Sequence, residues 1–144
     1  MKIAYMLGSL NRGGMETLLL DVFKNARIAE YSFIGIHRKG GNYQSEFYAT
    51  QLMEQCSPRR GNYIGYLLRL HKLLITNRIT IVHAQQYIDG LYAKLACIGT
   101  GIKVIETFHG YDFGVGKWNR LLIKLSIKMA DAVFFVSNSQ KEYY

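Results

Sequence analysis

Apolar and polar positions along this chain follow two alternating rhythms. Short, nearly continuous apolar runs lie at 2–7, 31–37, 79–84, 102–108 and 132–137. Between them, near 14–27, 44–55, 62–76, 88–98 and 117–130, apolar residues return at helical spacing. The first pair shows the logic. Lys2-Ile-Ala-Tyr-Met-Leu7 reads as a buried strand, and Leu18, Leu19, Val22, Phe23 and Ala26 then mark one helix face. Alternation of this kind predicts parallel strands joined by right-handed helical crossovers, that is, a doubly wound, Rossmann-like α/β sheet. At 144 residues, 1–144 are expected to form one domain that buries roughly two-thirds of its unfolded surface.

Ligands of such sheets sit at the carboxyl ends of the strands. Those ends are Gly8–Gly14, His37-Arg38-Lys39, Ala84-Gln85-Gln86, His109-Gly110-Tyr111-Asp112 and Ser137-Asn138, so polar side chains are expected to gather on one rim. Asn11-Arg12-Gly13-Gly14-Met15-Glu16 stands out, because it joins the first strand to the first helix. A glycine pair there predicts a sharp turn with bare N–H groups beside a ligand, and the helix start suits a phosphate or carboxylate. Neither common phosphate loop fits. Gly8 and Gly13 have the Walker spacing, but Gly14 and Met15 replace the lysine and hydroxyl. The dinucleotide fingerprint G-x-G-x-x-G is absent, and the second strand ends in His37 and Arg38 where that fold wants an acid. A βα turn with no ligand is the plain alternative.

Composition narrows the class. Hydrophobic residues make up 49% of the chain and proline occurs once, so linkers and low-complexity tracts are not expected. Cys56 and Cys97 lack zinc spacing and read as reduced thiols of a cytosolic protein. With the first strand expected from residue 2, this reading leaves no room for a signal peptide, and no apolar run reaches the ~18 residues of a membrane span.

Charge changes the picture further. The formal net charge is +8, and two long segments carry no acid. One, between Glu54 and Asp89, holds Arg59, Arg60, Arg69, Lys72 and Arg78; the other, between Asp112 and Asp131, holds Lys117, Arg120, Lys124 and Lys128. On a helix the last four share an arc of roughly 80°, with Trp118, Leu121, Leu122, Leu125 and Met129 expected to form the apolar side. Such a helix suits an anionic membrane surface or an acidic partner; a core-packed helix with a solvated basic face is the alternative. Nucleic acid is not expected as a partner, since no recognised binding motif accompanies the charge.

His109 is the best candidate for site chemistry. It follows Val104-Ile-Glu-Thr-Phe108 and precedes a glycine, so it should end a strand and face the crevice, where an imidazole can donate to a phosphate or a sugar hydroxyl. Asp112 can accept from a sugar hydroxyl or simply cap a turn. His83 reads as a hydrogen-bonded core or rim histidine, and His71 as a solvated one. Ser137-Asn-Ser-Gln-Lys-Glu142 opens a helix with a capping-box pattern between Ser139 and Glu142. That helix is expected to continue beyond Tyr144, so the chain is expected to be the N-terminal domain of a longer protein.

Four segments together carry a resemblance. The strand–Arg12-Gly13-Gly14-Met15-Glu16–helix junction, Ile81-Val82-His83-Ala84, Thr107-Phe108-His109-Gly110 and Ala130-Asp131-Ala132-Val133-Phe134-Phe135-Val136-Ser137 occur in an order and spacing similar to the N-terminal domain of family-4 retaining glycosyltransferases. The resemblance implies the GT-B fold, in which two Rossmann-like domains face each other across a cleft. The first mainly binds the acceptor and the second holds a nucleotide-sugar donor.

It further implies that Gly13 and Gly14, with Arg12 and Glu16, line the cleft, and that His109 stands beside the transferred sugar as the catalytic residue. Gly110, Asp112, Ser137 and Asn138 are implied substrate contacts. No cofactor and no metal ion are expected, the nucleotide-sugar being a substrate. The family's E-x7-E motif belongs to the donor domain, and Glu46 and Glu54 match its spacing by chance. With the donor domain absent, this chain alone is expected to be inactive.

The implied acceptor is a saccharide or a lipid-linked saccharide in cell-surface polysaccharide synthesis, at the cytoplasmic, inner face of a membrane. Lys117, Trp118, Arg120, Lys124 and Lys128 would then face that membrane. Two other classes stay open: an NADP-binding oxidoreductase domain, with Arg38 meeting a 2′-phosphate, and a non-catalytic α/β interaction module.

Overall fold

The computed structural model describes residues 1–25, 31–59, 61–111 and 116–144. Strands and helices alternate without exception: β1 Lys2–Ser9, α1 Gly14–Lys24, β2 Ser32–Lys39, α2 Gln44–Ala49, β3 Met53–Gln55, α3 Tyr63–Thr76, β4 Ile81–Ala84, α4 Tyr87–Ala96, β5 Lys103–Phe108, α5 Lys117–Met129, β6 Ala132–Phe135 and α6 Asn138–Tyr143. All strand pairs are parallel, in the order β3-β2-β1-β4-β5-β6. This is the doubly wound, Rossmann-like sheet that the alternation predicts. The order reverses between β1 and β4, where a crevice opens at the carboxyl ends.

One segment corrects the expectation. The stretch 44–55 is not one helix: α2 ends at Ala49, Gln51 turns with a φ of 59° in the left-handed region, and Met53–Gln55 pairs with Gly35–His37 as an edge strand. A non-glycine residue at such a φ ends helical geometry locally, and Gly35 makes the close approach possible. A Cβ on Gly35 would run into Met53 and the Phe23 ring.

Two apolar clusters flank the sheet. One joins Ala4, Met6, Ile34, Ile36, Val82 and Val104 to Tyr66, Leu70 and Leu74 of α3 and Ala93 and Ala96 of α4. The other joins Tyr5, Leu7 and Phe33 to Leu19, Leu20 and Phe23 of α1 and Phe47 of α2. Strand β1 is buried from Ala4 to Gly8 without a break, as a central parallel strand covered on both faces must be.

At the far edge the pattern changes. Helix α5 buries Ile123 and Ser126, whereas Trp118 is 80% exposed, Leu121 55% and Leu125 43%. The expected apolar side is therefore not the packed side. The Ser126 hydroxyl explains the rotation: it donates to Glu106 Oε1 at 2.5 Å and lies 2.9 Å from the Tyr87 carbonyl oxygen, so a polar residue takes the buried position. Beside it, a Cβ on Gly90 would collide with the Glu106 carboxylate. At the end of the chain the N-cap of α6 is Ser137, whose Oγ accepts from the Gln140 amide at 3.2 Å. The cap thus stands two residues before the expected Ser139–Glu142 box.

Candidate functional site

The carboxyl ends of β1, β4 and β5 enclose a cleft of about 490 Å³. Its walls are Gly14, Met15 and Glu16 at the start of α1, Gln85, Gln86 and Tyr87 after β4, and Thr107 to Tyr111 at the end of β5. Of the residues expected from sequence, Gly14, Glu16, His109 and Gly110 meet here. Asp112 lies outside the described residues.

Four expected contacts are not part of the cleft lining. Arg12 is exposed and holds its guanidinium 4.9 Å above the Tyr43 ring, away from the cleft lining. Gly13 is the N-cap of α1 with extended backbone, φ −160°, a conformation open to any residue. The pair therefore does not create the turn. Gly13 is small for another reason: a Cβ there would approach Glu16 Oε2 to 2.6 Å. Glu16 folds back over the helix start beside its own backbone amide, and burial raises its carboxyl above the ordinary range. A side-chain anion thus already attends the helix end that the glycines seemed to leave for a ligand.

Ser137 and Asn138 are exposed and are not part of the cleft lining. Their neighbours instead support the wall. Ser139 Oγ is 2.7 Å from the Tyr111 hydroxyl, and Gln140, fully buried, donates Nε2 to the Gly110 carbonyl at 2.5 Å. The start of α6 thereby fixes the loop that follows His109.

His109 is half-buried, and burial alone lowers its pKa, so the ring is neutral near pH 7. Its Nε2 lies 2.6 Å from Gln85 Oε1. Behind it, His83 Nε2 bonds Thr107 Oγ1 at 2.7 Å, and burial, then the neighbouring His109, push its pKa down to about 4. His83 is the hydrogen-bonded rim histidine that the sequence suggests. His71 is not solvated as expected: Nδ1 bonds the Ala96 carbonyl at 2.8 Å and ties α3 to α4.

Gln85, 4% exposed, is the main contributor that motif reading does not single out. A lone glutamine has no charge or spacing signature. The signal was topological: sheets of this kind place consecutive strands side by side, which brings the residue after β4 next to the residue after β5.

Arg38 does not stand free at the end of β2. It pairs with Asp89, Nε to Oδ1 at 2.5 Å, in the interior, and lies 5.9 Å from the Tyr92 ring centre. A 2′-phosphate would have to compete with a buried carboxylate for that guanidinium, which counts against the oxidoreductase reading. Among the described residues no group of three His, Cys, Asp or Glu could hold a metal ion, and no helix is long and apolar enough to cross a membrane.

Comparison with known proteins bears on the family and the fold. The sequence matches the model of Glycosyltransferase Family 4 over residues 12–144. No curated protein sequence matches it significantly. Among solved structures, a glycosyltransferase from Rickettsia africae superposes with a TM-score of 0.76 at 22% identity, covering 99% of this chain and 38% of that one. The apo form of the lipopolysaccharide outer core galactosyltransferase WaaB gives 0.73 at 18% identity, with 99% and 41% covered. HepE from Anabaena, in complex with UDP and glucose, gives 0.73 at 15%, with 92% and 37% covered. This chain spans about two-fifths of the length of these structures.

Proposed function

The chain belongs to glycosyltransferase family 4, and we propose that it forms the acceptor-side half of a two-domain enzyme that transfers a sugar from a nucleotide-sugar donor. The observation that carries this reading is the cleft itself. It lies at the sheet's switch point, with His109, Gln85 and Glu16 converging on a space of about 490 Å³, and the crevice at the strand ends is where sheets of this class bind ligands. In the reaction, the bond from the donor's anomeric carbon to the nucleoside diphosphate breaks. A bond to an acceptor hydroxyl oxygen forms with retained configuration, and the departing diphosphate is stabilised electrostatically. His109 contacts the transferred sugar from the end of β5, and no metal ion is required. A second domain supplies the donor contacts, so the 144-residue chain alone turns over no substrate.

The acceptor belongs to cell-surface polysaccharide synthesis and is a saccharide, carried on a lipid or free. Helix α5 supports the lipid-linked form. Its exposed Trp118, Leu121 and Leu125 lie beside the exposed cations Lys117, Arg120, Lys124 and Lys128, a pairing suited to the inner face of an anionic membrane. In the complete enzyme, His109→Ala should lower turnover roughly 10²–10³-fold, the usual cost of losing a preorganised polar contact at a reacting centre. The melting temperature should stay close to the wild-type value. Equal losses of activity and thermal stability would make His109 a structural residue and overturn the reading.

A further inference from the structure

His109 has two ring nitrogens, and the structure uses one of them inside the protein. Nε2 faces Gln85 Oε1 at 2.6 Å. The Gln85 amide is oriented from its other end, where Nε2 donates to the His83 carbonyl at 3.5 Å, and its backbone N–H donates to Met6 O at 3.1 Å. The glutamine is therefore anchored to β1 and β4, buried, and presents oxygen to the imidazole. An amide oxygen only accepts, so the ring must carry its proton on Nε2. Nδ1 is then a lone pair with no partner among the described residues, on a ring that lines the cleft.

We infer that Gln85 is a positioning residue that locks His109 as the Nε2–H tautomer and so makes its cleft-facing nitrogen a hydrogen-bond acceptor. The chemical class that satisfies such a nitrogen is a hydroxyl donor, as on a sugar, and not a phosphate oxygen. Resting on the proposed sugar transfer, which already sets His109 beside the sugar, the lock makes the ring accept there rather than donate. Burial of the ring favours its neutral form, and a neutral ring is what allows Nδ1 to accept.

The test is the tautomer, read from long-range 15N–1H correlations of the imidazole rings in the purified chain near pH 7. The wild type should show His109 protonated on Nε2. Gln85→Leu, which removes the acceptor, should give a mixture of tautomers. Gln85→Glu, whose carboxylate favours the doubly protonated ring, should instead shift His109 toward the imidazolium and remove the accepting Nδ1. If Gln85→Leu does not fold, Gln85→Asn, one methylene too short, should show the same mixture. In the complete enzyme, Gln85→Leu should lower turnover about tenfold, in line with one lost hydrogen bond, and Gln85→Glu should not restore it. An Nδ1–H tautomer in the wild type, or a tautomer unmoved by Gln85→Leu or Gln85→Asn, overturns the inference. The spectra need no sugar transfer. A locked tautomer beside a fully active His109→Ala enzyme would instead sink the functional reading and leave the lock standing.

Discussion

Strands β1 and β6 are parallel members of one sheet, yet the protein treats them in opposite ways. Residues Ala4 to Gly8 of β1 are all buried, between α3 and α4 on one side and α1 and α2 on the other. In β6 no residue is buried, and Phe134 is 55% exposed. The adjoining α5 leaves Trp118, Leu121 and Leu125 in solvent. Apolar burial holds the centre. At the edge polar groups join in: Asp131 accepts from Lys94 Nζ at 2.5 Å, the Val104 amide at 2.9 Å and Lys103 Nζ at 3.3 Å, beside the stacked rings of Phe108 and Phe135. The contrast teaches that the cleft is built where packing is complete, while the exposed apolar surface lies to the side of it. Catalytic geometry needs rigid support, and an exposed apolar face needs something to meet.

The sharpest way to break this comparison is to truncate one side chain on each side of it. Leu70→Ala, in a fully buried position of α3, should cost about 2–5 kcal/mol in denaturant unfolding, the range for cavity-forming core changes. Phe134→Ala should cost less than about 1 kcal/mol, as at most exposed positions. Similar values for the two would show that the edge is part of the core.

Next in size is Asp131. Its hydrogen bonds from Lys94, then Val104, hold its carboxyl down to about 2, below the ordinary value of 3.8. A depressed folded pKa stabilises above the unfolded value and is lost as pH falls through the folded one. Asp131→Asn should therefore lower stability by about 1 kcal/mol near pH 7, a figure reduced for solvent screening. The difference from wild type should close between about pH 4 and pH 2 in thermal melts. A difference that stays constant over that range would mean the carboxylate's charge plays no part.

The smallest effect on folding should come from Lys117, Arg120, Lys124 and Lys128 changed together to Gln. All four are exposed, so the melting temperature should hardly move. Co-sedimentation with anionic vesicles should weaken markedly, since each cation near such a surface contributes about 1 kcal/mol, and wild-type binding should fade as salt rises. Equal binding by both proteins at low salt would reduce α5 to a solvated face.

Most of the architecture was legible in the sequence because it depends on periodicity. Five strands, the helices between them and the rim at their carboxyl ends follow from apolar spacing alone. β3 did not, since three residues after a short helix carry no period of their own, and a helical pattern runs through them until Gln51 breaks it. In the cleft, Gly14, Glu16, His109 and Gly110 were legible from motif and strand-end position. Gln85 was not, because its importance lies in what stands opposite. Arg12, Ser137 and Asn138 were expected in the cleft from linear proximity, but side-chain direction takes Arg12 to Tyr43 and the cap takes Ser137 to the Gln140 amide. The packed face of α5 was misjudged because hydropathy assigns Ser126 to solvent, whereas its hydroxyl is fully occupied inside.

That inward serine ties three distant positions into one inherited unit. Glu106 lies where any side chain on residue 90 would have to go, and Ser126 supplies the hydrogen bond that lets the acid stay buried. A lineage that enlarges Gly90 must first shorten Glu106, and one that shortens Glu106 leaves Ser126 without its carboxylate. Tolerated changes should therefore arrive as pairs or triples. Descendants of this sequence should split into those keeping glycine, acid and hydroxyl together and those with a wholly apolar set.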